Sequence, residues 1–258
     1  MNPIRAIRER MLRLATKHYH LLPWGRRLRM LKDVHHGKRC FIIGNGPSLS
    51  ASDLTCLYEH DEITFGFNRV FHIFSDTPWR PTYYMSQDDK MLKGCVSDVE
   101  RLTAKIKFVP IEMPWYYGIK VKGAHYYHTE NGEVEGVLKF SDEIDKCVVL
   151  WGTVVYSAIQ FAAYMGIKEI YLIGVDHHFQ KTLNMKGEIV IDPTAKSDYF
   201  CKAYDADKDE LYIPNTDRTT QIYEAAKCYA DQRGIKIYNA TRGGKLEVFP
   251  RVEFDSLF

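Results

Sequence analysis

The chain has 258 residues, 45% of them apolar and 26% charged, with a net charge of +2 at neutral pH. That length can bury a full core, and the balance is that of a globular protein rather than a disordered or fibrous one. No run approaches the roughly 18 uninterrupted apolar residues of a membrane-crossing helix, and the cysteines show no C-x-x-C pair or repeated spacing.

The charge is unevenly placed. Residues 1–32 hold nine Lys/Arg (Arg5, Arg8, Arg10, Arg13, Lys17, Arg26, Arg27, Arg29, Lys32) against Glu9 alone, so this stretch is +8 and the remainder −6. Ile4, Ile7, Met11, Leu14 or Ala15, His18, and Leu21 or Leu22 recur at helical spacing, which predicts a basic amphipathic helix in an arm spanning 1–36. Pro23 breaks it, and Trp24-Gly25-Arg26-Arg27 opens a second basic piece. Two readings stand: an arm lying on anionic lipid with Trp24 at the headgroups, or a helix packed on the body with its cations in water or paired to acids. Nucleic acid is not expected as a partner, because the body is acidic and carries no binding motif. No apolar leader precedes a small-residue cleavage site, so the expectation is a cytoplasmic protein with reduced thiols, peripheral at the inner membrane face if the arm holds lipid.

Residues 37–258 read as one α/β domain. Cys40-Phe41-Ile42-Ile43 is a buried strand that runs into Gly44-Asn45-Gly46-Pro47-Ser48. The glycines allow positive φ and close approach to a ligand, and Pro47 suits the first turn of a helix, so the loop is a candidate phosphate seat. It lacks the Lys of a Walker loop and the third glycine of the dinucleotide fingerprint, where Leu49 stands. After a short helix at Leu54–Tyr58, Ile63–Phe67 is a second strand ending at Asn68, and Thr82–Met85 a third ending at Asp88-Asp89. Residues 91–145 read as irregular, with Ile106–Ile111 strand-like and Glu130–Glu133 a tight turn. Val148–Thr153 is a strand, with Gly152-Thr153 at the start of a helix running to Met165. Ile170–Val175 is a buried strand ending in Asp176-His177-His178.

Residues 180–218 look like a polar loop or lid. A last helix, Thr219–Arg233, precedes a strand at Lys236–Tyr238. Strands alternating with helices predict a Rossmann-like, mostly parallel sheet with helices on both faces. Ligands bind such sheets at the carboxyl ends of the strands, where Asn45, Asn68 and Asp88 fall. Histidine suits a general base, which singles out His177 and His178. Asp205-x-Asp207-x-Asp209 fails as a calcium loop, with Glu210 and Thr216 where glycine and a bidentate glutamate are needed.

GNGPSL after an opening strand, FGFNRVF, WRPTYYMSQDD and MGIKEIYLIGVDHHF together resemble the bacterial sialyltransferases of glycosyltransferase family 42 and the 6-hydroxymethylpterin diphosphokinase-like domain. The resemblance runs from about Gly37 to Arg251 and implies a single, GT-A-variant-like α/β domain. It implies a metal-independent, inverting transferase moving a sugar, CMP-activated, onto a surface glycan or lipid-linked acceptor. Carried onto this chain, Gly44, Asn45, Gly46, Pro47, Ser48, Asn68, Asp88, Gly152, Thr153, Asp176 and Asn215 would surround the donor. Tyr212 stands where the family has its catalytic histidine, which leaves His177 or His178 as base. No cofactor is implied under this reading; under the diphosphokinase alternative Asp88 and Asp89 would hold Mg²⁺. A third alternative is a nucleotide-binding protein without catalysis, and a homo-oligomer is left open.

Overall fold

Four apolar residues in succession leave β1 (Arg39–Ile43) no polar face, so it must be covered on both sides. It lies inside a seven-stranded, all-parallel sheet. The computed structural model describes residues 3–134, 137–205 and 211–258; the expected acidic loop at 205–210 lies almost wholly outside them. In chain order the helices are α1 (Pro3–Thr16), α2 (Pro23–Arg29), α3 (Ala51–Glu59), α4 (Asp89–Arg101), α5 (Val154–Tyr164), α6 (Lys202–Asp205) and α7 (Thr216–Gln232). The strands after β1 are β2 (Thr64–Phe67), β3 (Tyr83–Met85), β4 (Ile106–Pro110), β5 (Ala124–Tyr127), β6 (Thr129–Asn131), β7 (Glu133–Val134), β8 (Val137–Leu138), β9 (Val148–Leu150), β10 (Glu169–Ile173), β11 (Lys181–Leu183), β12 (Ile189–Ile191) and β13 (Lys236–Asn239). The main sheet has the order β13-β10-β1-β2-β3-β4-β5. Among the described residues no helix is long and apolar enough to cross a membrane.

The period-two alternation of strands divides the interior into two cores. Cys40 and Ile42 of β1, Phe65 and Phe67 of β2 and Ile170 and Leu172 of β10 pack with α5 and α7. Phe41 and Ile43, with Tyr171 and Ile173, face the other way onto α3 and α4. Helices thus cover both faces, as the resemblance and the strand–helix alternation imply. α5 is buried around most of its circumference, and its two interior polar side chains have partners. Gln160 accepts from Val149 N (2.9 Å) and Ser141 N (3.1 Å) and donates to Val149 O (2.8 Å), tying β9 to the helix.

Several boundaries differ from the sequence reading. The stretch read as irregular holds most of α4 and all of β5, and the strand expected at Ile106–Ile111 is β4; β4 and β5 both belong to the main sheet. Glu130–Glu133 is extended with a bend at Gly132 rather than a tight turn, and β9 pairs with β6 outside the main sheet. The lid is not structureless: β11 and β12 form a hairpin, with Asn184 Oδ1 accepting from Lys186 N and Glu188 N (both 2.9 Å). α7 starts at Thr216, three residues early, because Asn215 caps it.

The arm touches the body. Leu12, Tyr19 and Leu28 are buried in the α5-side core, and Tyr19 OH donates to Tyr126 O. α2 packs on β5, the edge strand, and so shields one open edge of the sheet. Trp24 sits edge-on to Tyr126 at 6.0 Å, packed inward rather than presented to headgroups. Pro23 begins α2, where its missing N–H costs nothing.

Replacing Gln160 by Leu strands three backbone groups of β9 and its neighbour without partners. We expect a loss of about 2–4 kcal/mol in urea unfolding; a change within about 0.5 kcal/mol would mean the tie is incidental.

Candidate active site

The chain runs outward from β1 to β5, then returns to lay β10 on the other side of β1. The β1/β10 junction is therefore the switch point at which an open α/β sheet receives ligands. Here the two carboxyl-terminal loops press together. A Cβ on Gly44 would lie 2.7 Å from the Gly174 carbonyl carbon, and one on Gly174 would lie 2.7 Å from Gly44 O. Gly46 N donates to Gly174 O (2.8 Å). Neither Gly44 nor Gly46 has positive φ; Gly174 does, at +64°. The β1 glycines are thus needed for the approach of β10.

The same seam uses the loop's donors. Ser48 Oγ (2.6 Å) and Ser48 N (3.4 Å) both donate to Asp176 Oδ2. The anion at this loop is the protein's own, held at the end of β10, and burial pushes its pKa up. Pro47 and Ser48 lie in a turn before α3, whose cap is Ser50, accepting from Asp53 N at 3.1 Å. Gly46, Ser48 and Asp176 are thus held to one another and to Gly174 in the seam. Asn45 is placed differently. Its Nδ2 donates to Phe67 O (3.1 Å), and its Oδ1 is buried without a partner among the described residues. A buried acceptor of this kind calls for water or another donor to satisfy it.

The other expected residues fall around this point in separate groups. Asn68 has φ +50° and accepts from Ser86 Oγ through Oδ1 (3.1 Å). Asp88 caps α4 by accepting from Met91 N (2.9 Å), and its pKa is raised by burial. Thr153 caps α5 through Val155 N (3.3 Å), and Gly152 (φ +49°) sits against Ile222 of α7. His177, itself at φ +53°, reaches the same helix, Nε2 to Thr220 Oγ1 at 2.8 Å, and burial lowers its pKa. Gln87 Oε1 accepts from Ser157 Oγ (2.8 Å) and joins the α5 group to the end of β3. Asn215 caps α7 through Arg218 N (2.9 Å).

His178 turns the other way, toward the hairpin. Its Nε2 lies 2.9 Å from Asp192 Oδ2. Hydrogen bonds from Thr194 Oγ1 and from Lys245 Nζ (2.9 Å) hold the Asp192 carboxyl well below its usual pKa. An ionised Asp192 fixes the proton on Nε2 and leaves Nδ1 as the basic nitrogen. A cleft of about 550 Å³ is lined by Lys90, Lys181, Phe179, Tyr199, Tyr212 and Asp198, among others, with Phe179 and Ile191 of its lining next in sequence to His178 and Asp192. Tyr212 is exposed on its wall, donating to Asp89 Oδ1 (3.2 Å) with Lys90 Nζ 4.3 Å from its ring centre. The cleft is tied to the glycine loop, since Phe200 N, next to Tyr199, donates to Asn45 O (3.1 Å).

A family profile described as 6-hydroxymethylpterin diphosphokinase MptE-like matches residues 16–182, from the arm through both histidines. The chain belongs to this MptE-like family. Among solved structures it is similar to the MAf glycosyltransferase from Magnetospirillum magneticum (TM-score 0.51, 14% identity), covering 91% of this chain and 38% of that one. It is also similar to the sialyltransferase CstII from Campylobacter jejuni, solved with cytidine-5'-monophosphate (TM-score 0.48, 15% identity, 84% of this chain and 85% of that one). The chain thus spans well under half the length of the first protein, and that likeness shows a common fold. A search of curated protein sequences returned no significant match.

Under the diphosphokinase description of the MptE-like family, Asp88 and Asp89 are the carboxylates that would hold Mg²⁺ together with substrate phosphates. Asp88 is taken up by α4's backbone N–H groups, Asp89 receives Tyr212, and no cluster of three candidate ligands occurs among the described residues. The sequence reading missed Asp192, Lys90 and Lys181. Asp192 follows Ile189-Val190-Ile191, and the Asn184–Gly187 turn before it was the available hairpin signal.

Asp176 binds its proton more tightly in the folded chain than in the unfolded one, so stability falls as pH rises above the ordinary carboxylate range. Asp176→Asn should flatten that fall just above the ordinary carboxylate range in urea-unfolding profiles. Parallel profiles for variant and wild type would contradict the assignment.

Proposed function

We propose that this MptE-like protein is a glycosyltransferase that binds a nucleotide-activated sugar in the cleft between the start of α4 and the 179–214 segment that follows β10. The observation that carries this reading is a cleft lined by Lys90, Lys181, Tyr199 and Tyr212, two of whose lining residues, Phe179 and Ile191, directly adjoin the paired His178 and Asp192 in sequence. Lys90 and Lys181 suit the phosphates, and Tyr199 and Tyr212 suit stacking on a base or sugar ring. Asn45, outside the lining but bonded through its carbonyl to Phe200 N beside Tyr199, offers Oδ1 to a ligand donor. The resemblance of the GNGPSL and KEIYLIGVD segments to sialyltransferases favours a CMP-sugar, and the MAf likeness gives a fold on which a glycosyltransferase is built.

In this reaction His178 Nδ1 takes the proton of an acceptor hydroxyl as its oxygen attacks the anomeric carbon. The bond from that carbon to the donor phosphate breaks, and the leaving phosphate carries the charge against Lys90 and Lys181. Asp192 positions the imidazole and stabilises its protonated form. His177 is held against α7, and its lowered pKa keeps it neutral; it shapes the loop rather than serving as base.

Family membership favours a second reading, transfer of a diphosphate from ATP. A thermal-shift panel of CMP, UDP, GDP and ATP compounds, with and without Mg²⁺, separates the two. A metal-independent shift with a nucleotide-sugar product, abolished by Asn45→Ala, supports the transferase; a shift with ATP that needs Mg²⁺ supports the kinase. With a donor in hand, His178→Ala should lower kcat by about 10²–10⁴-fold while leaving nucleotide binding intact. Equal activity in His178→Ala, with loss in His177→Ala, would reverse their roles.

A further inference from the structure

Helix α1 carries two apolar edges, and the body covers only one. At about 100° per residue, Ile7, Met11 and Leu14 fall within roughly 60° of one another, while Leu12 points roughly 100–160° away from them. Leu12 is buried in the core. Ile7, Met11 and Leu14 are 61%, 52% and 65% exposed, a continuous stripe that packing does not explain. Arg10 and Lys17 lie along one flank of this stripe, about 60–80° round from Ile7.

The cations are as unpartnered as the apolar stripe. Of the arm's basic residues with described side chains, Arg29 alone forms an ion pair with the body, at 3.1 Å from Asp145. Arg10, Arg13, Lys17, Arg26 and Lys32 are exposed and have no acidic partner among the described residues. The acidic body therefore leaves the arm's positive charge largely unneutralised. An apolar stripe edged by unpaired Arg and Lys matches the surface of an anionic bilayer, where acyl chains lie beneath phosphate charge. α1 also packs on the 113–117 turn that follows β4, which sets the stripe at the carboxyl-end side of the sheet.

We propose that the outward stripe Ile7–Met11–Leu14 of α1 and its flanking cations dock the protein on an anionic lipid surface, with the body held by the inward edge. Leu12, Tyr19 and Leu28 fix the arm, so docking needs no unfolding of α1. The surface is independent of the chemistry in the cleft.

Co-sedimentation of the full chain with vesicles of phosphatidylglycerol and phosphatidylcholine, against phosphatidylcholine alone, tests this. Binding to the anionic vesicles should fall steeply with salt and drop about tenfold or more in Ile7→Glu/Met11→Glu/Leu14→Glu. Arg10→Glu/Lys17→Glu should weaken binding by a similar factor, and unchanged melting temperatures would show that both variants fold. Ile189→Glu, on the exposed hairpin, should bind as wild type. Absence of binding to anionic vesicles, equal binding to both vesicle types, or loss in Ile189→Glu but not in the α1 variants would overturn the proposal. So would a concentration-dependent dimer in sedimentation that the triple variant dissolves, since the stripe would then be covered by a second copy.

Discussion

The carboxyl-terminal rim rests on the contact between the loops that leave β1 and β10. Two backbones meet there at a separation that a side chain at Gly44 or Gly174 would prevent. Ser48 then locks the β10 end by donating twice to Asp176. With the seam closed, Asn45 is directed toward β2, its amide nitrogen fixed on Phe67 O and its oxygen left open. The chain emerging from Asp176 must then pass over the rim. His177 falls to the α7 side and His178 to the hairpin side. A buried carboxylate is an expensive way to build a loop, and two hydrogen bonds only partly offset its desolvation. Its retention fits a position where geometry matters more than stability.

The lid completes what the sheet begins. Residues 180–218 hold a hairpin, a short helix and the cap of α7, and the hairpin returns Asp192 to His178 across 14 positions of sequence. The cleft lies between this lid and the start of α4, and Phe200 ties its wall to Asn45. Asn45 and His178 are thus placed by different segments that share one hydrogen-bonded frame. Helix α1 packs on residues 113–117 after β4, on the carboxyl-end side of the sheet, so the proposed lipid docking would bring a lipid-linked acceptor toward the rim.

Much of the fold was legible because parallel strands buried on both faces leave long apolar runs. β1 and β10 stand out for that reason, and their ends located Asn45, Asp176 and the two histidines. β5 was hidden because Ala124–Tyr127 mixes small, polar and aromatic residues at an edge that α2 covers. α4 was hidden at its start because Asp88 looks like a strand end until its carboxylate is seen capping Met91 N. The roles of individual residues were less accessible. Ser48 and Asp176 read as ligand contacts, and in the fold each is also the other's partner across 128 residues of sequence, beside the Gly44–Gly174 contact. Loop glycines and hydroxyls have the same composition whether they receive a phosphate or a neighbouring strand, and tertiary contact alone separates the two.

The central claim is that the seam leaves Asn45 Oδ1 as a ligand acceptor inside the nucleotide site. Titration of a nucleotide donor into isotope-labelled protein, followed by NMR at the Asn45 side-chain amide, tests it most directly. The account predicts saturable shifts at Asn45 together with Tyr199 and His178, while Ser48 and the α3 amides move little. Saturable binding that leaves Asn45 unmoved, or that shifts Ser48 and the first turn of α3 instead, would contradict it.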